Sequence, residues 1–133
     1  MAGFEFAYSL DQSTPVLRDQ TVADTVVLTA GTIVNLETGE LTIGVTADTA
    51  LYGVTTEDCD NTDDGLSCQV ITNKNAVYRV ADANARLAGA TLDIGAGGKT
   101  VAASSNADLI VVEDSTASED TLVTFAGSHF LQL

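Results

Sequence analysis

The groups capable of chemistry gather between Glu57 and Cys68. The stretch reads Glu57-Asp58-Cys59-Asp60-Asn61-Thr62-Asp63-Asp64-Gly65-Leu66-Ser67-Cys68. Counted from Asp60, oxygen ligands fall at positions 1, 3 and 5 and a glycine at 6, the order of a calcium-binding EF-hand loop. Position 12 is Ile71, where such a loop needs a bidentate glutamate, and no helical pattern flanks it. Asp60 and Asp64 are therefore weak metal candidates. A solvated acidic loop accounts for them better, and no cofactor is expected. Cys59 and Cys68 bracket the same loop and are a candidate disulfide, closing a ring of about ten residues worth about 2–3 kcal/mol in loop entropy. A reducing cytoplasm would keep them as thiols and an extracellular particle would let them pair. They lack the C-x₂-C spacing of metal and redox sites.

Other chemistry is harder to assemble. His129 is the single histidine, and no G-x-S-x-G elbow supplies a nucleophile for it. A lone histidine is ordinarily structural. The carboxylates cluster in loops, with nothing to desolvate one of a pair. Gly95-Ala96-Gly97-Gly98 has neither the following helix nor the Lys-Ser/Thr of a phosphate loop. The expectation is a protein that is not an enzyme.

Charge narrows the partners. The 133 residues hold 19 acids and five Lys or Arg, for a net charge of −14. Phosphate binding needs cations to release counterions, so nucleic acid and anionic membrane are excluded as partners. Self-repulsion of this size destabilises a compact chain in dilute buffer. At about 1 M salt the Debye length falls to roughly 3 Å and the penalty fades. An acid-rich, lysine-poor, Thr/Val/Ala-rich chain resembles proteins of salt-loving archaea and their viruses. No secretion leader and no membrane-length apolar run is evident, so a soluble chain made in the cytoplasm is expected.

The elements that would position these residues are strands. Residues 22–54 match residues 80–112 at an offset of 58 without a gap: Val22-Ala23-Asp24 falls on Val80-Ala81-Asp82, Ala30-Gly31 on Ala88-Gly89, and Gly39 on Gly97. This candidate internal repeat gives each copy a hairpin with a bulge or longer loop, its glycines supplying positive φ. Val26-Val27-Leu28 reads as a strand buried on both faces. Residues 69–71 and 76–80 flank a turn at 72–75 and read as a further hairpin. Residues 81–88 hold the only helical pattern, capped by Asp82. At the N-terminus Phe4, Phe6, Tyr8 and Leu10 share one parity, a period-2 apolar face. Read alone, this strand folds back as an edge strand. The alternative is an arm that adds to another protein's sheet. The fold expected is all-β: a barrel-like or sandwich-like domain of short antiparallel strands over residues 21–133, with at most one short helix, preceded by an extended segment at 1–20.

The order Ala30-Gly31-Thr32-Ile33-Val34, the Gly39 turn, Leu51-Tyr52-Gly53-Val54, the acidic loop, Gln69-Val70-Ile71 and Ala76-Val77-Tyr78-Arg79-Val80, with Thr124-Phe125-Ala126-Gly127 near the end, resembles the head decoration proteins of tailed phages, the lambda type. The resemblance covers about residues 26–82 and the C-terminus. It implies a homotrimer on the outer surface of the virion, cementing the shell by binding the major capsid protein. It further implies that Phe4, Phe6, Tyr8 and Leu10 form a capsid-binding arm. The acidity, the cysteine pair and the second hairpin depart from that pattern. The alternative function is a calcium-dependent β-rich adhesin or carbohydrate-binding module, with the acidic loop as its site.

Overall fold

Short apolar runs rich in β-branched residues, broken by Gly, Asp and Asn, produce strands and turns almost exclusively. The computed structural model describes residues 3–48, 50–61, 66–73 and 75–127. Among these the only helical element is a 3-10 turn at Ala96–Gly98. Among the described residues no helix is long and apolar enough to cross a membrane.

Two antiparallel sheets face one another. The first contains β2 (Leu17–Thr21), β4 (Ile33–Glu37), β5 (Glu40–Ile43), β6 (Leu51–Thr55) and β8 (Ser67–Ile71), in the order β2-β8-β6-β4-β5. The second contains β1 (Glu5–Ser9), β9 (Ala76–Ala81), β10 (Thr91–Ile94), β11 (Val101–Ala103), β12 (Leu109–Val111) and β13 (Asp120–Phe125), in the order β1-β9-β13-β12-β10-β11. A two-stranded ribbon of β3 (Val27–Leu28) and β7 (Cys59–Asp60) completes the set. The result is sandwich-like and does not close into a barrel, although the first sheet curls until Val22 bridges Leu41.

That curl divides the apolar interior in two. Ile33, Leu51, Val54 and Ile71 of the first sheet meet Tyr78, Val80, Leu92, Leu109, Val123 and Phe125 of the second. Tyr78 lies edge-on to Phe125, ring centroids 5.8 Å apart. The opposite face of the first sheet closes on its own contents: Val22, Leu28, Val34, Leu41, Tyr52, Val70 and the two cysteines. Strand β6 separates the two cores and is buried along its whole length. A Cβ on Gly53 would stand 1.9 Å from the Ile71 carbonyl oxygen, so this wall admits only glycine.

Several local expectations change. Val26-Val27-Leu28 is not buried on both faces: Leu28 is buried and Val27 exposed, because the ribbon covers one side only. Residues 69–80 do not form a hairpin, since β8 and β9 belong to different sheets. Asn73 sets this crossover by accepting from the Val16 amide and donating to Thr14 O at 2.9 Å. The first copy's hairpin has a tight two-residue turn, with Glu37 paired to Glu40 and positive φ at Thr38 (47°) and Gly39 (83°). Residues 82–88 form no helix. Asp82 accepts from the Asn84 amide and the Arg86 guanidinium, while the Arg86 backbone pairs with Ser115. Those bonds use the groups a helix would need.

Candidate functional site

The N-terminal strand carries the residues expected from the sequence to bind a partner. Residues 5–9 lie at the edge of the second sheet, with Glu5 opposite Arg79 and Ser9 opposite Ala76. A bulge between Phe6 and Tyr8 interrupts the register, a common device for blunting an edge. The four residues of the apolar face separate. Phe4 is 2% exposed and sits in the inter-sheet core. Phe6 packs against that core, edge-on to Tyr78 at 6.2 Å. Tyr8 is 36% exposed and donates from its hydroxyl to Glu113 at 2.6 Å. That bond raises the Tyr8 pKa, with smaller contributions from burial and the charge of Glu113. Leu10 is 53% exposed. Phe4 and Phe6 therefore serve the chain's own fold, and Tyr8 and Leu10 present surface.

Around this strand the molecule is open and apolar. A groove of about 170 Å³ runs between β1 and the first sheet, lined by Phe4, Phe6, Val54, Thr55 and Ile71. Beyond it the connection from β1 to β2 leaves Val16 and Leu17 about half exposed. Asp11 folds this connection. It accepts from the Ser13 hydroxyl and amide and from Asn75, bonds that hold its carboxyl below the ordinary value. The ion pair Arg79–Glu5, at 2.7 Å, bridges β1 to β9 on the outer face.

The described ends of the acidic loop are clamped together. Cys59 and Cys68 are bonded, their Cα atoms 5.9 Å apart. Glu57 approaches both sulfurs, but a disulfide has spent the thiolates a soft metal would use. Glu57 itself accepts from the Gln69 amide at 3.0 Å, and Asp58 from the Ala30 amide at 2.8 Å. Asp60 is exposed, with its backbone paired to Val27. Asp64 and His129 lie outside the described residues.

Sequence reasoning missed three organising polar residues. Asn61 is fully buried; it donates to Val22 O and Ala23 O and accepts from the Leu66 amide, fixing both ends of the acidic loop. Asp93 accepts from the amides of Ser105, Asn106 and Ala107 and from the Ser105 hydroxyl. Burial pushes its pKa up, but those bonds outweigh it and the net shift is downward. Asp108 is fully buried and accepts from Ala47 and Ile94, one in the connection after β5 and one in the second sheet. The available signal was Asn or Asp beside a β-branched run, and those residues also mark plain turns.

No family model matches this chain, and no curated protein matches it. A solved structure does: the N base of head fiber gp8.5 from bacteriophage phi29. Identity is 17%, with a TM-score of 0.58 over 86% of this chain and 98% of that one. At that identity the likeness is one of fold. This chain and the phage fiber base share an architecture along almost the whole of the latter.

Proposed function

We propose that this chain is a structural protein of a tailed-virus particle, decorating and stabilising the capsid from its outer surface. The observation that carries the reading is the fold shared with the base of a phage head fiber over 98% of that chain. The charge of −14 fits the same reading, since an acidic chain avoids the packaged nucleic acid and needs a high-salt setting to stay compact. In this reading the chain binds an HK97-type major capsid protein as a homotrimer, in a virus of a salt-loving archaeon. The contact is mechanical. Each copy adds a modest apolar patch, and several copies held on one lattice bind far more tightly than one. The exposed apolar residues around the β1–β2 connection, Leu10, Val16 and Leu17, supply that patch.

The test uses virus particles banded from the source culture. A gold-labelled antibody against this chain should decorate the outer face of intact particles, and light scattering of the purified chain should give three times the 13.7 kDa chain mass. Unlabelled particles would sink the virion assignment, and a monomer at all concentrations would sink the trimer.

A further inference from the structure

The two sheets repeat one another strand for strand. The first runs β2-β8-β6-β4-β5, and the second, leaving out β1, runs β9-β13-β12-β10-β11. Each antiparallel pairing in the first has its counterpart in the second: β2 with β8 as β9 with β13, β6 with β8 as β12 with β13, β4 with β6 as β10 with β12, and β4 with β5 as β10 with β11. Details too specific for any two β-meanders repeat as well. Gly31 and Gly89 adopt φ of 86° and 89°. The alanine before each donates its amide to an aspartate at 2.8 Å, Ala30 to Asp58 and Ala88 to Asp114. The Leu28–Cys59 pairing of the ribbon returns as the Arg86–Ser115 bridge.

The halves differ in how the leading strand ends. In the first, β2 turns in to meet β5: Ala23 donates to Leu41 O at 3.0 Å, and the Gln20 side chain to Gly39 O at 2.6 Å. In the second, the edge of β9 is taken by β1, a strand outside the repeated pattern. We infer that the chain is a tandem duplication of one five-stranded unit, residues 17–71 and 76–125, whose second unit keeps an acceptor edge on β9, and that this edge receives β1 from a second copy of the chain.

The acceptor specifies its occupant. It needs an extended antiparallel strand with an acid facing Arg79 and aromatic side chains on either side of that acid, turned toward Tyr78. Phe4-Glu5-Phe6 meets this description, and every copy carries it. Exchange keeps the Glu5–Arg79 pair and the Phe6–Tyr78 contact intact, so its cost falls on the connection alone. That connection is held to residues 73 and 75 by the Leu10 amide on Asn75 O, by Asp11 on Asn75 and by Asn73 on Thr14 and Val16, and these are the bonds that exchange must give up. Residues 10–16 are all exposed, and Gln12 is held at φ 62° in a turn closed by its amide on Ser9 O. Left-handed backbone is unfavourable for a residue with a Cβ, and an extended connection releases it.

The experiment needs no capsid, so it stands apart from the proposed function. A tagged Glu5→Cys chain is mixed with an untagged Arg79→Cys chain under non-denaturing conditions at high salt, then oxidised and run on a non-reducing gel. Paired residues on antiparallel strands lie within disulfide reach. Exchange yields a tagged–untagged dimer as the main product, lost on reduction. The Ser9→Cys and Ala76→Cys pair, also in register, should give the same product without disturbing the ion pair. The inference is overturned if neither mixture forms the mixed dimer while the Glu5→Cys/Arg79→Cys double variant closes only within one chain.

Discussion

Phe4→Ala separates a strand that builds the fold from a tail that waits for a partner. Phe4 is 2% exposed, and its amide donates to Gly31 O at 2.8 Å. Truncating a buried aromatic costs roughly 3–5 kcal/mol. Phe4 also lines a groove of about 170 Å³, so its packing on that side is incomplete, and the lower end, about 3 kcal/mol, applies. Unfolding entropy near 60 °C is roughly 2.1 cal/mol/K per residue, or about 280 cal/mol/K for this chain. The expected fall in Tm is therefore about 11 °C. Scanning calorimetry in molar KCl, where charge repulsion is screened, measures it directly. Leu10→Ala is the control: at 53% exposure it should move Tm by less than about 2 °C. If both variants melt together within about 2 °C of the parent, Phe4 contributes nothing to the fold and the packing argument fails.

Reducing the Cys59–Cys68 bond should cost about 2.7 kcal/mol from the loop-entropy relation for a ten-residue ring, near 10 °C in Tm; an unchanged melt with and without phosphine reductant would contradict it. Asp93 has a folded pKa below its ordinary value, so its stabilisation is complete above about pH 4 and is lost as pH falls through the lower folded value. The stability gap between parent and Asp93→Asn should accordingly narrow in acid, and a gap constant down to about pH 2.5 would refute the assignment. Raising salt from tens of millimolar to about 2 M should lift Tm steeply, given the net charge of −14; a flat response would rule out charge repulsion as the main constraint.

Strand content was legible because Val, Ile and Thr at alternating positions leave few other solutions. The Ala-Gly turns were legible too, since Gly31 and Gly89 both occupy left-handed backbone. The assignment of strands to sheets was not. Thr72-Asn73-Lys74-Asn75 has the composition of a hairpin turn, yet Asn73 spends its side chain on residues 14 and 16, contacts set by tertiary structure alone. The segment at 81–88 failed for the same reason. Its alanines favour a helix locally, and the pairing of Arg86 with Ser115 overrides them. At the N-terminus the strand was legible from its alternation, but the bulge between Phe6 and Tyr8 that splits its apolar face was not. In the structure Phe4 and Phe6 pack on the core between the sheets, beside β9. Of the acidic loop's two candidate ligands, Asp60 is exposed with its backbone paired to Val27, and Asp64 lies outside the described residues.

Strand β6 has a consequence for how the molecule comes apart. Leu51 and Val54 belong to one apolar core and Tyr52 to the other, with Gly53 between them. Neither core survives the departure of this strand, so the second half loses its packing partner once the first has melted. A chain of two similar halves would ordinarily be free to open in stages, each half a separate foldon. Here melting of the first half removes the face on which the second half packs. A force applied at one face of β6 is carried through the strand to the core on its other face.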